Sequence, residues 1–511
     1  PAWIPERQLR EIFLPPFRAG IESGSPTVML NSSEINGVPV HSSKYYQRTL
    51  LEDELGFEGI IITDWADINN LYTRENVAAT QREAVKMAVL AGVDMSMVPL
   101  DYSFYTHLID LVRTGEVPES RINEAVRDIL TFKYQLGLFE NPYPNKQLTD
   151  QFATDEARRV NLQAARESLV LLKNQNDLLP LDTKSQVLVT GPTANSLASL
   201  NGGWTITWQG DQEEMYPEDK LTILEAIEST LGGNQVVYSR GVDFHQSLHI
   251  EKTVAAAREA EVAIVALGEP AYCESAGNID DLTMPEPQLN LVEALSETDT
   301  PIILVLAEGR PRIINRIAGK VDAILFAGLP GMEGGPAIAD VLFGDYNPGG
   351  KLPFTYPRNP NALVWYDHKE SEENDPGEFN PQFEFGDGLS YTSFAYSDLQ
   401  IGNPKVGTSS KLNVTVRVTN TGDRSGKEPV LLFLRDHIAS ITPSVKKLVR
   451  FDQVNLQPGE STLVQFELSA RDLSFIGRDH SRIIEPGMFS VSVDTLSQQF
   501  EFTADTPDEI E

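Results

Sequence analysis

The chain reads as an α/β multidomain protein: the C-terminal part of a TIM-like (β/α)8 barrel, then an α/β sandwich domain, then a β-sandwich. Three observations predict this order. Short β-branched runs alternate with helical apolar periodicity over residues 1–142, and a second such alternation fills 161–360. From about residue 396 the period changes to apolar–polar alternation broken by turn clusters. The 511 residues also exceed what one hydrophobic core usually serves, so two or three domains are expected.

Taken in order, residues 7–23 carry a helical pattern and Thr27-Val-Met-Leu reads as a first strand. A polar segment follows, then a helix-like stretch over 45–55 that stops at Gly56. The run Gly59-Ile-Ile-Ile-Thr-Asp-Trp is continuous and β-branched, as in a strand covered on both faces of a parallel sheet. A helix is expected around 78–91, a third strand over Ala91-Gly-Val-Asp-Met-Ser-Met-Val, and helices over 103–114 and 119–136. Three strands then precede Pro142-Tyr-Pro, whereas a closed barrel takes eight strand–helix units. Region 1–142 is therefore expected to be the back part of a barrel. A three-strand piece leaves open edges, so the front half is expected from a second polypeptide or is missing from this chain.

Residues 143–160 read as a linker and 161–360 as the second α/β domain, with strands such as Gln186-Val-Leu-Val-Thr, Val262-Ala-Ile-Val-Ala-Leu, Ile302-Ile-Leu-Val-Leu and Ala323-Ile-Leu-Phe-Ala. The stretch 361–395, rich in Asn, Pro, Asp and Gly, reads as a connecting loop. Over 396–511, strands such as Lys411-Leu-Asn-Val-Thr-Val-Arg-Val-Thr and Phe489-Ser-Val-Ser-Val have the spacing of a fibronectin or immunoglobulin type sandwich.

Composition excludes several function classes. With 41 basic and 74 acidic side chains the net charge is −33, which repels phosphate backbones and anionic headgroups, so no nucleic-acid partner is expected. No apolar run approaches the roughly 20 residues that span a bilayer, and no membrane insertion is expected. The single cysteine, Cys273, excludes an internal disulfide and a cysteine-based zinc cage but leaves the compartment open. His41, His107 and the other histidines lack metal-ligand spacing. Gly331-Met-Glu-Gly-Gly lacks the Lys-Ser/Thr of a phosphate loop. No metal and no cofactor are called for; a neutral or cationic small substrate fits the charge.

Catalytic groups of α/β barrels lie at the carboxyl ends of strands, which singles out Asp64 at the end of Ile60-Ile-Ile-Thr-Asp-Trp. An Asp after a strand is also a common helix N-cap. Trp65 favours chemistry, because an indole beside a carboxylate offers a pyranose an apolar face to stack on and a charge beneath its anomeric carbon. Hydrolysis through a covalent intermediate needs a second carboxyl about 5–5.5 Å away. Glu269 and Glu274 flank Pro270-Ala-Tyr-Cys on the loop after the run 262–267, a loop able to reach across a domain interface.

Met29-Leu-Asn-Ser-Ser-Glu-Ile-Asn-Gly-Val-Pro, Gly56-Phe-Glu-Gly-Ile-Ile-Ile-Thr-Asp-Trp, Ala91-Gly-Val-Asp-Met and Gly137-Leu-Phe-Glu-Asn-Pro-Tyr, in this order, closely resemble glycoside hydrolase family 3. Gly268-Glu-Pro-Ala-Tyr-Cys-Glu, Asp281-Leu-Thr-Met-Pro, the segment from Gly334 to Pro353 and Phe385-Gly-Asp-Gly-Leu-Ser-Tyr-Thr extend the resemblance over nearly the whole chain. It implies a retaining, exo-acting β-glucosidase with Asp64 as nucleophile and Glu274 as acid/base; Thr63 stands where the family commonly has Ser. Glu269 stays the competitor, since Glu274 is preferred only for its distance to Leu282-Thr-Met-Pro. Asn201-Gly-Gly-Trp-Thr-Ile-Thr-Trp-Gln-Gly resembles the segment by which plant exo-β-glucan glucohydrolases present a tryptophan to the leaving-side sugar. Trp204 is then the partner of Trp65 in a two-indole clamp, the alternative being a packing tryptophan. Glu34 and Asn36 are further candidates to line the pocket.

The resemblance also implies that an Asp, an Arg and a Lys-His pair on earlier barrel strands grip the sugar hydroxyls, and these are not found here. A β-xylosidase, a β-N-acetylglucosaminidase on the same scaffold and a noncatalytic carbohydrate-binding homologue remain as alternatives. Expected partners are β-linked glucose oligosaccharides or β-glucosides, the second polypeptide and, in addition, a homodimer. A periplasmic or extracellular location is expected, with any export signal upstream of this chain.

Overall fold

In the computed structural model, which describes residues 1–98, 101–362, 365–372, 379–503 and 508–509, the chain forms two compact units. The first comprises Pro1–Thr149 and Phe475–Ile483, the second Asp150–Ser474 with the described residues from Ile484 on.

The first unit is built on two parallel strands, β1 (Thr27–Met29) and β4 (Ile60–Ile62), with a small antiparallel hairpin of β2 (Glu34–Ile35) and β3 (Val38–Pro39) between them in sequence. Helical turns cover Glu6–Gln8, Leu9–Phe13 and Leu14–Glu22, the middle one wound as a π-helix, and a second π-helical stretch covers Tyr45–Glu54. Helices Asp67–Thr73, Gln81–Ala91, Ser103–Arg113 and Glu119–Gln135 follow. Their apolar faces meet Ile61 in a core that includes Leu51, Ile68, Leu71, Val85, Val89 and Leu111. Each such side chain contributes about 1.5–3 kcal/mol relative to exposure.

The expected third strand over 91–98 shrinks to a single parallel bridge between Ile62 and Met95. The reason is Asp94. Its Oδ2 accepts from the N–H of Ile61 at 2.9 Å, a donor a ladder would otherwise use, while Oδ1 accepts from Arg121 at 2.7 Å. The buried Arg121 guanidinium also donates to the carbonyls of Val89, Gly92 and Val93, so it closes the end of helix Gln81–Ala91. Side-chain bonds take over part of the strand pairing here, while Met95 N–H still donates to the Ile61 carbonyl and Thr63 N–H to that of Met95.

In the second unit a six-stranded sheet has the order β5–β10–β9–β8–β6–β7, with β5 (Val170–Asn174) antiparallel at one edge. The others, β6 (Val187–Thr190), β7 (Val236–Tyr238), β8 (Val262–Gly268), β9 (Ile302–Ala307) and β10 (Ala323–Phe326), run parallel. All of β8 is buried, and its side chains alternate between two cores. Val262, Ile264 and Ala266 join the cluster with Leu169, Ile227 and Val341, while Ala263, Val265 and Leu267 join that with Leu289, Val292 and Tyr356. A period-two strand between two helical layers requires apolar residues at every position, which is why the run is unbroken.

The expected linker 143–160 is shorter than its composition suggests, because a helix, Asp155–Ser168, starts inside it with the Thr154 hydroxyl accepting from Ala157 N–H at 3.3 Å. Of the expected loop 361–395, residues 363–364 and 373–378 lie outside the described residues, as do 504–507 and 510–511 of the last region. The sandwich pairs a three-stranded sheet, β11 (Phe394–Ile401), β13 (Leu412–Asn420) and β16 (Ser461–Leu468), with a five-stranded one. The latter has β12 (Lys405–Val406), β20 (Leu496–Phe502), β19 (Gly487–Val493), β14 (Gly426–Asp436) and β15 (Lys447–Leu456). Alternate residues Leu412, Val414, Val416 and Val418 point into its core. The hairpin of β17 (Phe475–Ile476) and β18 (Arg482–Ile484) departs from the expected 396–511 domain. Its residues 475–483 group with the first unit, where Ile476 N–H donates to Glu11 at 2.6 Å.

Candidate active site

Asp64 leaves the carboxyl end of β4 half-buried, and its Oδ1 accepts from the N–H of Trp65 at 2.6 Å. It is not an N-cap: helix Asp67–Thr73 begins after Ala66, in the left-handed region at φ 57°, with no side-chain cap. The carboxylate therefore has no structural duty at the helix end. Thr63, fully buried, holds the turn from below. Its hydroxyl accepts from Met97 N–H and donates to the Asp64 carbonyl, both at 2.8 Å. The indole of Trp65 is 62% exposed, free to meet a ligand.

Beneath Asp64 the structure adds a group that sequence reading set aside. The His41 imidazole is buried with Nε2 3.7 Å from Asp67 Oδ2, and Asp67 Oδ1 accepts from Ser32 Oγ and Asn70 Nδ2 at 2.8 Å each. Burial pushes the His41 ring below the ordinary imidazole range against the opposing pull of Asp67 and Asp64, so the ring stays neutral at neutral pH. No motif flags it, because Ser32, His41 and Asp67 share no fixed spacing.

Glu34 and Asn36, the two other candidates on this unit, sit on or beside β2. Asn36 is left-handed at φ 53°, and its amide is engaged at both ends by Ile4, Nδ2 donating to the carbonyl at 2.7 Å and Oδ1 accepting from the N–H at 2.8 Å. A sugar hydroxyl would have to displace that clamp. Glu34 is half-buried, with Ser33 Oγ 3.3 Å from its carboxylate. Its own backbone N–H is the main influence holding that carboxyl below the usual range.

In the second unit the loop after β8 carries both candidate glutamates, and the structure separates them. Glu269 is 7% exposed; its Oε1 accepts from Arg310 Nε at 2.9 Å and Arg312 Nη1 at 3.2 Å, and its Oε2 from Tyr272 Oη at 3.2 Å. Both oxygens face protein partners. Glu274 is exposed and left-handed at φ 52°, and Trp208 Nε1 stands 3.4 Å from its Oε1. Non-glycine residues with positive φ gather at functional sites because only surrounding structure keeps them there.

Trp204 is likewise left-handed, at φ 60°, and 71% exposed. A tight turn holds it, Trp204 N–H donating to the Trp208 carbonyl at 2.8 Å. Glycine is obligatory at both ends of this turn. A Cβ on Gly210 would stand 2.1 Å from the Gly202 carbonyl, and one on Gly203 would stand 2.3 Å from that of Tyr272. An indole so exposed is not a packing tryptophan. Trp208, passed over at the sequence level in favour of Trp204, is the one that touches Glu274. Among the described residues no cluster of three or more His, Cys, Asp or Glu side chains is placed to hold a metal ion.

The glycosyl hydrolase family 3 N terminal domain model matches residues 2–132, the glycosyl hydrolase family 3 C-terminal domain model residues 169–391, and a fibronectin type III-like domain model residues 428–497. A lysosomal beta glucosidase of Dictyostelium discoideum is 42% identical over 96% of this chain and 62% of its own length. A periplasmic beta-glucosidase of Salmonella typhimurium is 34% identical over 94% of this chain and 67% of its own. The crystal structure of a beta-glucosidase from Listeria innocua in complex with gluconolactone superimposes with a TM-score of 0.91 at 28% identity, covering 98% of this chain and 71% of that one. The chain belongs to glycosyl hydrolase family 3. It spans about two thirds of the length of these relatives.

Proposed function

We propose that this chain carries the catalytic carboxylates of a retaining, exo-acting β-glucosidase that releases terminal β-D-glucosyl residues from β-glucan oligosaccharides or β-glucosides. The observation that carries the reading is Asp64, presented at a strand end beside an exposed indole with no capping duty. In the first step the Asp64 carboxylate attacks the anomeric carbon, the bond to the leaving oxygen breaks, and Glu274 gives that oxygen its proton. In the second, Glu274 takes a proton from water, the water oxygen bonds to the anomeric carbon, and the ester to Asp64 breaks. Two inversions return the starting configuration. Trp65 and Trp204 would stack on sugar faces, which tolerates different linkages because stacking ignores the hydroxyl pattern.

Relatives named as lysosomal and periplasmic support a periplasmic or extracellular setting, and no helix among the described residues is long and apolar enough to cross a membrane. Among the described strands β1 pairs with β4 alone, which supports pairing by a second polypeptide in the working enzyme; a homodimer belongs to the same proposal. The test is release of nitrophenol from an aryl β-D-glucoside, run with and without such a polypeptide and beside Asp64→Asn. Turnover abolished by Asp64→Asn supports the mechanism. Faster turnover of the xyloside transfers the substrate to the xylosidase alternative, and sugar binding without turnover under either condition overturns the enzyme.

A further inference from the structure

A general acid has to be held within a few tenths of an ångström of its working position, and Glu274 is exposed on a loop, at a backbone angle that its own residue type disfavours. Something else must hold it. The loop leaves the sheet at Gly268 and makes a short helical turn over Glu274–Gly277, and one side chain from the next strand connection grips it on both sides of Glu274. Arg310, just past β9, donates from Nε to Glu269 Oε1 at 2.9 Å and from Nη1 to the carbonyl oxygen of Gly277 at 2.6 Å. Its guanidinium carbon also lies 4.3 Å above the ring of Tyr272, whose hydroxyl closes onto Glu269 Oε2 at 3.2 Å. The segment 269–277 is thus pinned at Glu269, at Tyr272 and at Gly277 by one planar fork.

The fit is tight on the inner side. A Cβ on Gly277 would come within 2.2 Å of the Tyr272 ring, so the loop can close over that ring only with glycine there. On the outer side Gln209 acts as a second strand would. Its Oε1 accepts from Cys273 N–H at 2.9 Å and its Nε2 donates to the Cys273 carbonyl at 3.3 Å, immediately before Glu274. The same turn then aims Trp208 Nε1 at the Glu274 carboxylate. Arg310 and Gln209 touch no atom that would react. Each constrains the backbone on one side of Glu274.

Resting on the assignment of Glu274 as acid/base, we propose that Arg310 is a positioning residue for it, acting through the Glu269–Tyr272–Gly277 clasp, with Gln209 completing the grip at Cys273. Lysine at 310 cannot replace the fork, since a point charge reaches Glu269 or the Gly277 carbonyl but not both in the same geometry.

Two measurements on the full chain test this, and they fail separately. The first needs no turnover. In an ¹H–¹⁵N spectrum the indole signal of Trp208, assigned with Trp208→Phe, moves in Glu274→Gln because the carboxylate beside it is gone. With Arg310→Lys it moves at least halfway toward its position in Glu274→Gln, while the Trp204 signal and the melting temperature of the protein stay near the parent's. A Trp208 signal that Arg310→Lys leaves in place overturns the proposal whether or not the chain is a glucosidase.

The second is kinetic. Loss of acid positioning slows the first step for glucosides with poor leaving groups and spares those that leave without a proton, so Arg310→Lys should lower kcat/KM on an alkyl or unsubstituted phenyl glucoside about 10- to 100-fold and leave kcat/KM on a dinitrophenyl glucoside within about 3-fold. In the Glu274→Gln background the same substitution should add little. A uniform drop on both substrates that adds in full to Glu274→Gln marks a merely structural role and overturns the proposal. Absence of turnover in the parent bears on the proposed function and leaves the spectroscopic result to decide this one.

Discussion

The two candidate carboxylates are held by opposite means. Asp64 sits where β4 ends, and its neighbours in sequence do most of the holding: Trp65 N–H binds its carboxylate and the Thr63 hydroxyl binds its carbonyl. Glu274 sits six residues past the end of β8, and what holds its loop comes from far along the chain, Gln209 and Trp208 on one side and Arg310 on the other. The contrast matches the chemistry each would do. A nucleophile must stay put relative to the sheet that orients the sugar, whereas an acid/base has to serve a leaving group and then a water. Local strand geometry suffices for the first; the second is set by tertiary contacts.

That comparison can be broken by substitution. The largest effect is expected at Asp64: Asp64→Asn should lower kcat by about 10⁴-fold or more on every glucoside regardless of leaving group. Next comes Glu274→Gln, about 10²- to 10⁴-fold in kcat/KM on poor leaving groups and far less on good ones, whose kcat falls at the second step instead, with azide restoring turnover and giving the β-glucosyl azide. If azide rescues Glu269→Gln instead, the acid/base assignment moves to Glu269.

Smaller effects sharpen the contrast between the two supports. Thr63→Val removes a buried hydroxyl and leaves Met97 N–H without its acceptor, at a cost of about 1–3 kcal/mol, read as a lower urea midpoint for the first unit. Removal of the equivalent support for Glu274, the Arg310 fork, is expected to change rate rather than stability. A stability loss in Arg310→Lys as large as that in Thr63→Val would erase the distinction.

The smallest effect lies behind the clasp. Glu308 is fully buried and its carboxyl is pushed up to about 8 from 4.5, first by burial, in spite of the Tyr356 hydroxyl and the Arg312 N–H beside it. Tyr356 Oη lies 2.7 Å from Glu308 Oε1 and 2.6 Å from the Arg312 carbonyl; one hydroxyl proton cannot serve both, and a neutral Glu308 supplies the second. A folded-state value above the unfolded one means that the stabilisation is complete below about pH 4.5 and is lost as pH rises toward 8. Glu308→Gln removes that titration. Its melting temperature relative to the parent should therefore climb by about a few degrees between those pH values and level off above them. A difference that stays flat with pH would show that Glu308 does not carry the proton.

Much of this architecture was legible before any coordinates. The strands with continuous β-branched runs, Ile60–Ile62 and Val262–Gly268 among them, fall where their composition puts them, because a strand between two helical layers has no polar face to offer. Asp64 was legible for the same reason: a polar residue that abruptly ends such a run must sit at the sheet's edge. The failures have equally physical causes. The segment 91–98 has strand composition, yet the Asp94 carboxylate competes for the Ile61 N–H and leaves a single bridge. The helix from Asp155 hid in a polar stretch whose capping threonine resembles any linker residue.

By itself the sequence determined the order of layers, the family, and a nucleophile candidate whose surroundings are its own neighbours. It could not choose between Glu269 and Glu274, which share one loop and one composition. What only the tertiary structure supplies is their different surroundings: two arginines and a tyrosine close around Glu269, and an indole meets Glu274. The reason is one of range. Period and propensity act over a few residues along the chain, while, Tyr272 apart, the groups that distinguish one carboxylate from the other come from positions about 40 to 65 residues away, brought to it by the sheet.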